Sequence, residues 1–206
     1  MSAIEFYIQV VHALDEINAP YMIVGAFAGT AFGITRATFD IDILVDLQIR
    51  DMDTLAARFP PPRYYADPLM MRNSTRMGIM FNLIDTQTGA KADLVPMTRE
   101  PGYRAAFARR IRETFKDDHG QLFEAWCAQP SDIIIGKLKA WTEGRSLKHP
   151  ADILNILATS FSGLGNIQVD RVLVTTEAAR LGSETLALWK ELVARAEAEV
   201  LKNKNG

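Results

Sequence analysis

The chain has 206 residues, enough for one ample core or two small ones, and its 48% hydrophobic and 23% charged content excludes a disordered or fibrous protein. A formal net charge of -2 does not mark it as a general nucleic-acid binder, because phosphate contacts need a local excess of Lys and Arg. No apolar run approaches the roughly 18 residues of a membrane span, the opening MSAIEFYIQ has no basic segment leading into an apolar one, and a cytoplasmic location is expected.

Ser2 and Glu5 have capping-box spacing, and Ile4, Tyr7, Ile8, Val11 and Leu14 recur every three or four residues, which predicts a helix over 3–17. YMIVG (21–25) reads as a buried strand ending at glycine, and Ala26 to Phe32 as a second helix. In FDIDILVD, Asp40, Asp42 and Asp46 alternate with Phe39, Ile41, Ile43 and Val45, so the two sets face opposite sides of a strand. Asp51 to Phe59 is a short helix stopped by Pro60 to Pro62. RNSTR (72–76) reads as a polar loop flanked by methionines. Residues 79–86 and 91–96 form a β-hairpin around Gly89, with Asp93 on its second arm. Beyond Pro96 the pattern is helical. Ser131 caps one helix, Pro150 fits the first position of another, and Ser183 caps a last one. This order is α+β: a small mixed sheet flanked by helices over 1–97, then a helical bundle over 98–206, and not a doubly wound sheet.

Two carboxylates at i and i+2 of a strand share a face, and a third from a neighbouring strand completes the set that phosphoryl chemistry uses to hold hard divalent cations. A lone D-x-D is more often a solvated strand face. Here Asp40 and Asp42 lie among apolar neighbours, where uncompensated charge is costly. Gly25 ends the preceding strand just before a helix, a suitable approach for phosphate. Cys127 is a lone cysteine, expected in the core, and His12, His119 and His149 form no zinc or hydrolytic set. Trp126, Trp141 and Trp189 read as packing residues. Between Arg99 and Lys116 lie six basic residues against two acidic ones, either a solvated helix face or a surface for a polyanion.

The order VGA, thirteen residues, DIDI, then KADL resembles the signature of the DNA polymerase beta superfamily of nucleotidyltransferases. PSDIIIGKLKAW and KHPADI are similar to the paired helical motifs of AbiE-type abortive-infection toxins and related minimal bacterial nucleotidyltransferases. The likeness spans Tyr21 to about Leu157 and implies a nucleotidyltransferase fold with two Mg2+ ions and an NTP, such as ATP, as substrate. It makes Asp40, Asp42 and Asp93 the metal ligands, with Asp93 also helping to deprotonate an acceptor hydroxyl. Gly25, Ala26 and nearby amides would hold the β and γ phosphates. Lys137 would reach a phosphate or the leaving group, and Asp152 would position that lysine or the acceptor. Arg36 and Thr38 either contact phosphate or shape the turn. Two departures stand out: Ala26 replaces the motif's second glycine or serine, and His149 replaces an aspartate in the second helical motif.

The implied reaction moves an NMP from the NTP to an acceptor hydroxyl. The acceptor is RNA, as in toxin-antitoxin systems, with an antitoxin protein as a further partner, or a small molecule, as in antibiotic-modifying relatives. A nucleotide- or partner-binding module without turnover is the alternative from a different class.

Overall fold

The structure is a computed structural model that describes residues 2–97, 101–163 and 167–205. The sequence becomes α1 (Ala3–Glu16), β1 (Tyr21–Val24), α2 (Gly25–Thr30), β2 (Asp40–Val45), α3 (Ile49–Ala57), β3 (Tyr64–Tyr65), α4 (Pro68–Met77), β4 (Phe81–Asp85) and β5 (Lys91–Pro96). Then follow α5 (Arg104–Ala108), β6 (Ile111–Lys116), β7 (Leu122–Cys127), α6 (Pro130–Gly144), α7 (Lys148–Ser162), α8 (Arg171–Leu181) and α9 (Ser183–Asn205). The fold is α+β. Among the described residues one mixed sheet runs β3-β4-β5-β2-β1-β7-β6, with β2–β5 and β1–β7 parallel and the other pairs antiparallel.

The chain divides into two compact units, residues 1–27 with 37–128 and residues 28–36 with 129–206. The expected boundary at 97/98 falls inside the first unit, because the stretch read as helical after Pro96 contains the β6–β7 hairpin. Its strands alternate around a tight turn, in which Asp117 Oδ1 accepts from the amides of His119 and Gln121 at 2.9 and 2.7 Å. The basic stretch is therefore not one helix face. Arg104 lies on α5 and Arg112 and Lys116 on β6, while Arg99 lies outside the described residues.

In the first unit, Ser2 and Glu5 close the capping box of α1 through bonds of 2.9 and 3.2 Å. Phe6, Val10 and Leu14 of α1, Met52 and Leu55 of α3, and Ile23, Ile41, Ile43, Leu83 and Leu94 of the sheet are buried completely. Each such side chain contributes roughly 1.5–3 kcal/mol through burial. RNSTR is helical, not a loop. Asp67 caps α4 by accepting from the Leu69 amide at 2.8 Å, Pro68 presets its first turn, and Gly78 ends it in the left-handed region, so the caps override the weak propensity of Asn73 to Thr75.

The second unit is helical, with Ile134, Leu138, Ile153, Ile156, Leu157, Val174, Trp189 and Ala196 in its core. Pro150 occupies the third position of α7 rather than the first. An amide there has no intrahelical acceptor, so proline costs no bond. Ser183 is the first residue of α9 rather than its cap. No helix among the described residues is long and apolar enough to cross a membrane.

Candidate functional site

Strand register assembles the carboxylates. Asp42 on β2 stands opposite Asp93 on β5 and Val24 on β1, and Asp40 stands opposite Lys91. Paired residues project from the same face, so Asp40, Asp42, Asp93 and Lys91 share one side, joined by Asn82 of β4 opposite Asp93. The other side carries Ile41, Ile43, Ala92, Leu94 and Leu83, all fully buried. The alternation read from FDIDILV thus holds, although the strand stops at Val45 and leaves Asp46 exposed beyond it.

Each carboxylate is held by the chain. Lys91 Nζ donates to Asp93 Oδ2 at 2.8 Å, and Asn82 Nδ2 donates to Asp93 Oδ1. Thr38 Oγ1 donates to Asp40 Oδ1 at 3.0 Å, so Thr38 shapes the start of β2. Asp42 lies against Gly25, whose φ of +71° suits glycine. A Cβ there would fall 2.2 Å from Asp42 Oδ2. Ala26, next in α2, is buried.

Nearby, the Tyr7 hydroxyl is buried without a hydrogen-bond partner. Burial, followed by the charges of Asp40 and Asp93, pushes its pKa up to about 12. Among the described residues no three His, Cys, Asp or Glu side chains are grouped to hold an ion as they stand, and lysine, amide and hydroxyl donors engage Asp93 and Asp40. The donor set itself fits a hard divalent cation. It is all oxygen and lies on adjacent strands, and at Gly25 the backbone comes close enough to Asp42 to leave no room for a side chain.

A second cluster forms within the helical unit. Asp152 of α7, 1% exposed, receives Arg36 Nε and Nη2 at 2.9 Å each and Lys137 Nζ at 2.6 Å. Lys137 belongs to the buried stripe of α6 with Ile134 and Leu138, and only 6% of its side chain is exposed. Burial raises the Asp152 pKa, but hydrogen bonds and charge from Arg36 and Lys137 outweigh it and hold the carboxyl below its usual range. Arg36 is 38% exposed, so the cluster reaches solvent through its guanidinium. His149 Nδ1 is buried there without a partner. Burial, then the charges of Lys137 and Lys148, lower its pKa, while Asp152 opposes them.

The structure therefore brings Asp40, Asp42, Asp93, Thr38 and Gly25 together in one unit, and Arg36, Lys137 and Asp152 together in the other. Sequence reasoning missed Lys91 and Asn82. Lys91 lies two residues before Asp93, so strand alternation alone places it on the carboxylate face. Asn82 follows from the hairpin register. No periodic signal distinguishes Tyr7 from its aromatic neighbour Phe6 on α1. Elsewhere His12 is exposed, His119 Nε2 lies 3.3 Å from Glu5, and Trp189 donates to Thr175 at 2.9 Å.

No protein-family model matches the chain, and no curated protein sequence does. Among solved structures it is similar to ANT(2")-Ia in complex with adenylyl-2"-tobramycin, at 17% identity and a TM-score of 0.47 over 85% of this chain and 97% of that one. An antigenic nucleotidyltransferase-like protein from Paracoccidioides brasiliensis is similar at 16% identity and a TM-score of 0.46, over 88% and 91%. JHP933 from Helicobacter pylori follows at 12% identity and a TM-score of 0.42, over 98% and 93%. At identities and TM-scores this low, the functional reading rests on the chain's own residues.

Proposed function

We propose that the chain is a magnesium-dependent nucleotidyltransferase that moves an NMP from an NTP to an acceptor hydroxyl. The observation that carries this reading is the β2–β5 register, which sets Asp42 beside Asp93 with Asp40 on the same face, while Asp42 lies against the Gly25 turn. Asp40, Asp42 and Asp93 would hold the metal, which when bound supplies Lewis-acid stabilisation of phosphate oxygens. Asp93 accepts the proton of the acceptor hydroxyl as the new bond from oxygen to the α-phosphorus forms. The α–β anhydride bond breaks and pyrophosphate leaves. Thr38 orients Asp40, and the missing side chain at Gly25 lets backbone approach the phosphates. Within the helical unit, Asp152 fixes Arg36 and Lys137.

One observation favours a small-molecule acceptor as a second reading beside RNA. The Arg110 guanidinium lies over the Phe107 and Trp126 rings at 4.4 and 4.9 Å, and Arg112 lies over Trp126 at 5.5 Å. These cations are engaged by their own unit rather than presented as an open basic face.

The test is magnesium-dependent pyrophosphate release from each of the common NTPs, with total RNA or an aminoglycoside panel as acceptor. Asp42→Ala should lower turnover by about a hundredfold or more. Binding of Mg-NTP without pyrophosphate release under any acceptor would replace the enzyme reading with that of a binding module.

A further inference from the structure

Lys91 is the charged member of the carboxylate face that the proposed chemistry leaves without a role. It stands opposite Asp40 and two residues before Asp93 on the same side of β5, with its ammonium 2.8 Å from Asp93 Oδ2. The bond to Asp93 raises its pKa against the opposing effect of burial, and the charges of Asp93, Asp40 and Asp42 add to the rise. The side chain is 37% exposed, so its flexible stem can turn to water without leaving a buried hole. Asn82, the other donor to Asp93, brings no charge.

Asp40, Asp42 and Asp93 share one face, and the Lys91 ammonium brings a positive charge to Asp93. A divalent ion that reaches Asp93 Oδ2 finds that oxygen already taken by a cation. We propose that Lys91 is the resident counter-cation of this face and sets its affinity for divalent metal, which enters by displacing the ammonium from Asp93 Oδ2. The inference rests on the reading of Asp40, Asp42 and Asp93 as a cation site. Lys91→Gln removes both the competitor and its repulsion toward the incoming ion, so metal binds more tightly. The metal-free variant loses stability, because Asp93 loses its ion pair with Lys91.

The experiment is calorimetric titration of Mn2+ and of Mg2+ into the full chain as wild type, Lys91→Gln, Lys91→Arg and Asp42→Asn, with thermal melts of each. Lys91→Gln should bind Mn2+ up to about fivefold more tightly than wild type, the effect of one partly exposed charge. It should also melt lower without metal and gain more on adding it. Lys91→Arg should bind no more tightly than wild type. If the glutamine variant does not fold, Lys91→Met gives the same reading. Wild-type binding that depends on Asp42 and is unchanged or weakened in Lys91→Gln overturns the role of Lys91 while leaving the cation site standing. Absence of Mn2+ uptake in both proteins, or uptake indifferent to Asp42→Asn, removes the cation site and this inference with it.

Discussion

Asp152→Ala is the sharpest perturbation of the helical unit. The carboxylate is 1% exposed and is held by Lys137, itself 6% exposed, at 2.6 Å, and by Nε and Nη2 of Arg36 at 2.9 Å each. Removing one partner of a buried ion pair costs about 3–5 kcal/mol. That is a large part of the roughly 5–15 kcal/mol that holds a typical domain folded. Arg36 can turn to water, so its share is at most about 1 kcal/mol. The cost therefore belongs to Lys137, and Asp152→Ala combined with Lys137→Met should recover most of it. Urea unfolding followed by helical circular dichroism, run as a double-mutant cycle, measures both numbers. The Asp152 carboxyl lies below its reference pKa of 3.8 when folded. Its contribution is thus present above that value and lost as pH falls through the folded pKa, so the coupling should hold between about pH 7 and 5 and shrink below about 4. A cost under about 1 kcal/mol for Asp152→Ala, or no recovery in the double variant, refutes Asp152 as the counter-charge of Lys137.

Gly25→Ala should lower the melting temperature, through about 1–2 kcal/mol of left-handed backbone strain, and should also abolish Mn2+ binding, because the new Cβ displaces the Asp42 carboxylate from 2.2 Å. A variant that binds Mn2+ like wild type would remove Gly25 from the site. His149 titrates below its reference pKa of 6.5 when folded, with burial and the charges of Lys137, Lys148 and Arg36 acting against Asp152. The unfolded chain then binds more protons between those two pKa values, so stability falls as pH drops below about 6.5. Melts at pH 7.5 and 5.5 should show that loss in wild type and less of it in His149→Asn. Equal losses would show that another group titrates.

The parts of the fold written in one strong local pattern were legible in the sequence. The capping box of α1, the alternation of FDIDILV and the glycine turn before β5 gave their elements within a few residues. Asp40, Asp42 and Asp93 follow from the alternation once the pairing of β2 with β5 is known. What escaped was pattern without hydrophobic contrast. In β6 only Phe115 is buried, and charged Arg112, Glu113 and Lys116 mask its period of two, as suits an edge strand guarded against further pairing. RNSTR in α4 depends on Asp67 and Gly78 at its ends rather than on its interior. The pairing of Arg36 with Asp152 spans 116 positions, a separation that no local rule can bridge.

Neither compact unit is one stretch of chain, because residues 28–36 leave the strand-bearing unit after Phe27 and rejoin it at Ala37. During synthesis, Ala28, Phe32 and Ile34, all buried in the finished protein, emerge well before the helices of their own unit. At Gly33 the fit to that unit is close, since a Cβ there would come within 2.0 Å of Thr159 Oγ1. The nascent chain therefore carries an unfilled apolar segment through the making of the whole sheet, and Arg36 waits for Asp152. Severing the polypeptide before Gln129 would not release two finished domains. The C-terminal product would lack residues 28–36 of its own unit, and recovery of the cationic cluster would depend on reassociation with the fragment that holds them.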